Sequence, residues 1–397
     1  MGQAVNLDTV LFSIPILEKN IKEWERFRWA KDRFPVTDVD AFYFELGKHT
    51  NAKLMLHFLN TDRLGANWHY PTVTLRKKED KWTVWIEGSL SKFYFGSNLF
   101  EFISFDFESV VKKLYYFLHD NGLCVEKVDI YEAVMYKADI SKVLLIDTQI
   151  PILKVLEFLG KIDLDVRNET HIKEYVDFRQ GGKGHAVIWG TSKKKLASIY
   201  DKLMELQHNP NKTTVEKNII TFLEKNKDCV YQILKFEECL HDKIRLNYVC
   251  NKITRQNKNY YTFADFWERD LIKKLLLFRG ERLFSGADVK ILLLGNNTPS
   301  QIQQKLKSHD PKIRAGRLSN IGFWTLLAYE LGMKEMKKQL KVTYSPSTQH
   351  RILQQTRFLM ATMTRLPMQE VFDNFYKQLQ EMKPIRATTD LLSPLQQ

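Results

Sequence analysis

Residues 184–206 read GHAVIWGTSKKKLASIYDKLMEL, and the way this stretch divides into elements decides the fold. Ala186 to Trp189 is an apolar run ended by Gly190, the pattern of a buried strand. The second half is ambiguous in period. Leu196, Ile199, Tyr200, Leu203 and Met204 line one side of a helix, yet Ala197 to Asp201 also extends a strand. We adopt a strand followed by a helix, which leaves Tyr200 close to the junction.

Upstream, Thr9 to Leu17 reads as a buried strand and Glu18 to Lys31 as a charged helix carrying Trp24, Phe27 and Trp29. Ala41 to Leu46, Lys53 to Leu59, Thr72 to Arg76 and Trp82 to Glu87 are strand-like, the last two joined as a hairpin across Lys77 to Lys81. Phe107 to Leu118 is an amphipathic helix stopped by Asn121-Gly122. Val125 to Val143 is again strand-like, and Pro151 to Leu159 is a helix with proline at its start. Thr213 and Glu216 have the spacing of a capping box, and Val230 to Phe236 is a strand running into Glu237 and Glu238. Beyond about Tyr260 helical patterns take over: Thr262 to Arg279, Pro299 to Lys307, Asn320 to Leu340, Ser347 to Arg365 and Pro367 to Met382. The expectation is an α+β chain, with an antiparallel-sheet domain over 1–255, a helical domain over 256–383 and a flexible tail over 384–397.

Sixty Lys and Arg residues against 47 Asp and Glu leave a net charge of +13, which favours a polyanionic partner such as nucleic acid. The four cysteines form no CxxC pair, so a disulfide framework and structural zinc are not expected, and a reducing cytosol suits them. No run reaches the roughly 18 apolar residues of a membrane helix, and the start of the chain lacks the pattern of a signal peptide. The expected setting is therefore cytoplasmic, with no membrane partner.

The chemistry gathers around Tyr200. A tyrosine hydroxyl that attacks a phosphodiester stays attached as a phosphotyrosyl ester, but holding the phenol ionised at pH 7 costs about 4 kcal/mol. A divalent cation held by carboxylates and a nearby lysine lower that cost. Lys202 is two residues from Tyr200, and Lys193, Lys194 and Lys195 precede it, where they suit phosphates flanking a cut. Asp139 in YKADIS and Glu237 in LKFEEC are the acidic candidates for Mg²⁺ or Mn²⁺, with His185 as a nitrogen donor and Glu87 and Glu205 behind them. Read without further context, Tyr200 also fits a core stripe, the lysines a solvated loop and the acids strand-end ion pairs.

EGSLSKFYFGSNLF (87–100), YKADIS (136–141), VIWGTSKKKLASIYDKLMEL (187–206), ILKFEECL (233–240) and TFADFW (262–267) together resemble, in order, segments of the gene II replication initiators of filamentous phages and related plasmids. The resemblance implies an HUH-like palm, rolling-circle replication, nicking and rejoining of origin DNA, and a bacterial host cell that supplies DNA polymerase and helicase; this sequence departs from many rolling-circle nickases in lacking a His-x-His pair. It places the nucleophile on Tyr200 with Lys202 beside it, and the metal on Asp139 and Glu237 with His185. It puts Lys92, Asn98, Lys137 and the lysine triplet against DNA. Tyr248, Tyr260 and Tyr261 remain candidates for a second tyrosine. A non-catalytic DNA-binding relative and a transposon-type strand transferase are the competing readings.

Overall fold

A computed structural model describes residues 4–5, 7–29, 51–56, 69–146, 150–162, 172–176, 185–190, 195–226 and 231–285 of the chain, then 304, 307–308, 314, 316, 320–324, 327, 331, 333–360 and 367–392. The strands are β1 (Ala4–Val5), β2 (Leu7–Ile16), β3 (Phe27–Trp29), β4 (Asn51–Leu56), β5 (Thr72–Lys78), β6 (Lys81–Ser89), β7 (Phe102–Ile103), β8 (Val134–Ile146), β9 (Ile172–Val176), β10 (Ala186–Gly190), β11 (Lys195–Asp201) and β12 (Gln232–Leu240). The helices are α1 (Leu90–Phe95), α2 (Phe107–His119), α3 (Lys127–Tyr131), α4 (Ile152–Gly160), α5 (Lys202–His208), α6 (Thr214–Lys225), α7 (Lys243–Thr254), α8 (Arg269–Gly280), α9 (Met333–Thr343), α10 (Pro346–Met360) and α11 (Pro367–Glu381).

One antiparallel sheet organises the described residues, in the order β3-β4-β5-β6-β2-β8-β12-β11-β10-β9. Side chains alternate between its faces. Val10, Phe12 and Ile14 of β2, Val84 and Ile86 of β6, and Leu234, Phe236 and Leu240 of β12 are buried on the closed face. The π-helical turn Glu281–Ser285 that follows α8 and helix α11 pack there through Phe284, Phe372 and Phe375, with Phe284 5.7 Å from Phe236. The other, open face carries Lys235, Glu237 and Cys239 of β12 and Ser198 and Tyr200 of β11.

Two irregularities set what that face displays. Between Leu7 and Val10, β2 has one residue more than β8, and Asp8 falls in this bulge; a second shift, between Leu11 and Phe12, leaves Tyr136 as the extra residue of β8. Bulges re-aim side chains in this way.

Most expected elements are present, with shifted ends. The β5–β6 hairpin turns at Glu79 and Asp80, whose φ values of 48° and 61° give the doubly left-handed turn that matches strand twist. Residues 195–208 are a strand followed by a helix, and Thr213 caps α6 with the reciprocal Glu216 contact. Glu18 to Lys31 is not a helix where it is described: two short 3-10 turns lead into β3, and Trp24 packs on Trp82. Val125 to Val143 is not one strand, because α3 occupies its first part under a capping box made by Glu126 and Asp129. Ala41 to Leu46 and most of Pro299 to Lys307 lie outside the described residues.

The C-terminal helices share the sheet's hydrophobic core, a single cluster running from Ala4 to Met382. The expected loose tail is docked as far as Leu392: Ile385 exchanges hydrogen bonds with Glu101, Arg386 pairs with Asp106, and Leu391 is buried. Helix α8 is tied to the closed face by a two-pronged ion pair, Arg279 Nε and Nη2 donating to the Glu238 carboxylate at 2.6 and 2.8 Å with both side chains buried. Removing one partner strands a buried charge. Glu238→Ala or Arg279→Ala is expected to lower unfolding free energy by about 3–5 kcal/mol, measured by chemical denaturation, with the double variant losing less than the sum.

Candidate active site on the open face of the sheet

Register places Tyr200 and Ser198 of β11 opposite Lys235 and Glu237 of β12, so all four share the open face. The Tyr200 hydroxyl donates to Glu237 Oε1 at 2.7 Å and the Ser198 hydroxyl donates to Oε2 at 3.0 Å. Lys235, buried, reaches Asp8 across β8, donates to the Asn98 carbonyl at 3.1 Å and lies 3.8 Å from Glu237. Lys202 is equally buried; its ammonium donates to Asn98 Oδ1 at 2.6 Å and to Glu205, and sits 6.0 Å from the Tyr200 ring centre. Ser89 and the Asn98 amide donate to the two oxygens of Asp8.

Burial raises the Tyr200 pKa well above its ordinary value, and the Glu237 carboxylate raises it further. Burial lowers the Lys202 pKa against the pull of Glu205. Burial also opposes the Lys235 ammonium, but Asp8 and Glu237 outweigh it and its pKa is raised. Tyr200 is therefore a phenol with an acceptor in place.

Asp139 is opposite Cys239, next along the same face from Glu237. His241 Nε2 lies 3.1 Å from Asp139 Oδ1, and Asp139, Cys239 and His241 form a group whose donor atoms are all within 4.8 Å of one another. Both Glu237 oxygens already accept hydrogen bonds. His185 lies elsewhere, 3.7 Å from Asp201, which neighbours Tyr200 in sequence and so points to the other face.

The residues expected against DNA divide. Lys92 pairs with buried Glu216 at 3.1 Å, and Asn98 bridges Asp8 and Lys202, so both hold the site together. Lys137 is half-buried on the open face, 3.4 Å from exposed Glu87. Lys195 begins β11, while Lys193 and Lys194 lie outside the described residues. Tyr248 and Tyr260 are 65% and 50% exposed, and Tyr261 is buried.

A family model described as replication-associated protein G2P, N-terminal, matches residues 36–253, more than half of the chain. The chain belongs to this family of gene II-type replication initiators. No curated protein and no solved structure gives a significant match. The span shared with the G2P family holds all the open-face residues named above except Asp8, which the N-terminal strand supplies from outside it.

Sequence reasoning passed over Asp8, Ser198, Cys239 and His241. Asp8 stands at the flank of an apolar run, and its role depends on a bulge that no local pattern announces. Cys239 and His241 carry a usable signal, two-residue spacing on a strand opposite an acid. On the same face runs a ladder of half-buried cations and rings: Arg76 4.0 Å over Trp85, Trp85 4.4 Å from Tyr136, and Lys243 5.2 Å over Tyr136 and 5.8 Å from the Tyr260 ring.

Because the folded pKa of Tyr200 lies above 10, the stability linked to its protonation is complete below pH 10 and is lost as pH climbs through the folded value. Alkaline difference spectra of wild type and Tyr200→Phe are expected to superimpose through pH 10 and to separate only above it. Separation at lower pH would mean that Tyr200 ionises as an ordinary exposed phenol.

Proposed function

We propose that this G2P-family chain is a rolling-circle replication initiator that nicks and rejoins one strand of origin DNA, with Tyr200 as nucleophile and Glu237 as its base. The carrying observation is the 2.7 Å hydrogen bond from the Tyr200 phenol to Glu237, inside a site lined by two buried lysines. In the nicking step the Tyr200 oxygen bonds to phosphorus as its proton passes to Glu237. The bond from phosphorus to the 3′ oxygen breaks, and that oxygen takes a proton from water. The products are a 5′-phosphotyrosyl end and a free 3′ hydroxyl, which host polymerase extends behind a helicase. Rejoining reverses the step: a 3′ hydroxyl gives its proton to solvent as its oxygen bonds to phosphorus, and Glu237 returns its proton to the departing Tyr200 oxygen.

The family resemblance implies Mg²⁺ or Mn²⁺. Asp139 is the best-placed acidic donor, since Glu237 is engaged by Tyr200 and Ser198. When bound, the ion would withdraw charge from the scissile phosphate. Lys235 and Lys202 place positive charge beside the same centre.

Single-stranded DNA fits the ladder from Arg76 to Tyr260, which combines cations for phosphates with ring faces for bases. Trp85→Ala and Tyr136→Ala are each expected to weaken binding of an origin-derived single strand about 5- to 100-fold by fluorescence anisotropy. Stacking rather than charge alone is refuted if Trp85→Ala binds as wild type does.

The burial of Tyr200 favours one competing reading, in which this face only binds DNA and an exposed tyrosine such as Tyr248 cuts. A nicking assay on supercoiled origin DNA, followed by isolation of protein covalently attached to the 5′ end, separates the two. Tyr200→Phe is expected to abolish the adduct, Glu237→Gln to slow it roughly 10²- to 10⁴-fold, and Tyr248→Phe to leave it intact. An adduct that survives in Tyr200→Phe and vanishes in Tyr248→Phe transfers the role.

A further inference from the structure

We propose that Cys239, His241 and Asp139 form a mixed thiolate, imidazole and carboxylate site for a divalent cation, one that prefers Zn²⁺ or Co²⁺ to Mg²⁺. Its use in nicking rests on the function proposed above; the site itself does not.

The sequence Cys239-Leu240-His241 puts two donors two residues apart at the end of β12, with Leu240 buried on the opposite face. Asp139 stands directly across the ladder from Cys239. Its Oδ1 is 3.1 Å from His241 Nε2, and all three donor atoms lie within 4.8 Å of one another. A tetrahedral ion at ~2.0–2.3 Å holds its ligands ~3.5 Å apart, so the trio has only to draw slightly closer to share one ion. Three protein donors with the fourth position open is the arrangement of a working metal rather than a structural one.

Burial grades across the trio in the sense such a site requires. Cys239 is inaccessible, whereas the Asp139 and His241 side chains are 15% and 26% exposed. The soft donor thus forms the floor and the open side faces the surface on which Lys137 and the aromatic ladder lie. A thiolate and an imidazole are poor partners for Mg²⁺, which demands oxygen donors, and good ones for the later first-row ions. The pattern escapes a search for zinc spacing because the strand, not a CxxC turn, brings the donors together.

Titration of the full-length protein with Co²⁺ tests the site directly. One ion per chain is expected, with a thiolate-to-cobalt absorption band in the near ultraviolet and displacement by Zn²⁺ but not by equal Mg²⁺. Cys239→Ser should remove the band. His241→Ala, a change at a partly exposed side chain, should weaken binding by more than the about tenfold that outer-shell changes cause, while far-ultraviolet circular dichroism stays unchanged. The absence of a band in wild type, or its persistence in Cys239→Ser, overturns the proposal. So does binding that is lost in Glu237→Gln yet intact in both other variants. The covalent adduct is scored separately: an adduct without the band removes this site and leaves the nicking function standing, and the band without an adduct does the reverse.

Discussion

Two lysines with no solvent exposure, Lys202 and Lys235, impose the tightest constraint in this protein. A buried ammonium is tolerated only when it is paired and its protons are satisfied. Here two of the partners come from far along the chain and two are near neighbours in sequence. Asp8 arrives from the N-terminal strand, Asn98 from the loop after α1, Glu205 from α5 and Glu237 from β12 itself. The same polar cluster that forms the candidate site therefore stitches β2, β11, β12 and two helical segments together. The bulge in β2 is part of that arrangement, because it lets Asp8 reach across β8 to Lys235.

Strand β12 translates this constraint into an axis across the open face. Successive residues on that side run from Ile233, in a small apolar cluster with Leu206, Ile219 and Leu391, through Lys235 and Glu237 to Cys239 and then His241. One end is roofed by α5, α6 and the docked C-terminal segment; the other opens beside Asp139, Lys137 and Tyr136. A polymer approaching from the open end meets cations and rings first, then the three metal-type donors, and the phenol last. The position of Tyr200 deep along this axis is a consequence of where the roof stops.

Legibility in the sequence followed the range of the interaction that decides each feature. The hairpin at Glu79-Asp80, the capping box at Thr213 and the strand-to-helix switch at Asp201, whose side chain caps α5, are local and were readable. The helix expected over Glu18 to Lys31 failed because Trp24 and Phe27 serve the sheet's core rather than a helical stripe. Of the residues the sequence singles out, Tyr200, Lys202 and Glu237 lie together, and Asp139 shares their face. Lys92 and Asn98 were read as DNA ligands, whereas Glu216 and Asp8 claim them. Nothing in the sequence near either residue names those partners, one 124 residues later and the other 90 residues earlier.

The charge count of the cluster bears on how a buried phenol could act at all. Lys202 and Lys235 face three carboxylates, Asp8, Glu205 and Glu237, so the ionised set carries one negative charge in excess. A phosphodiester entering that site adds another, and the energetic response of coupled acids is to take up a proton. Two hydroxyls donate to Glu237, those of Tyr200 and Ser198, and the phenol is by far the more acidic of the two. In the proposed attack, proton transfer and bond formation leave the total charge unchanged: Glu237 becomes neutral as the phenolic charge enters the bond to phosphorus. A tyrosine whose pKa is raised in the resting protein is then consistent with a nucleophile, because ionisation is deferred until the phosphate is present to receive it. The same pairing guards the resting site, since a phenol held neutral by its base does not compete with Asp8 and Glu205 for the two lysines.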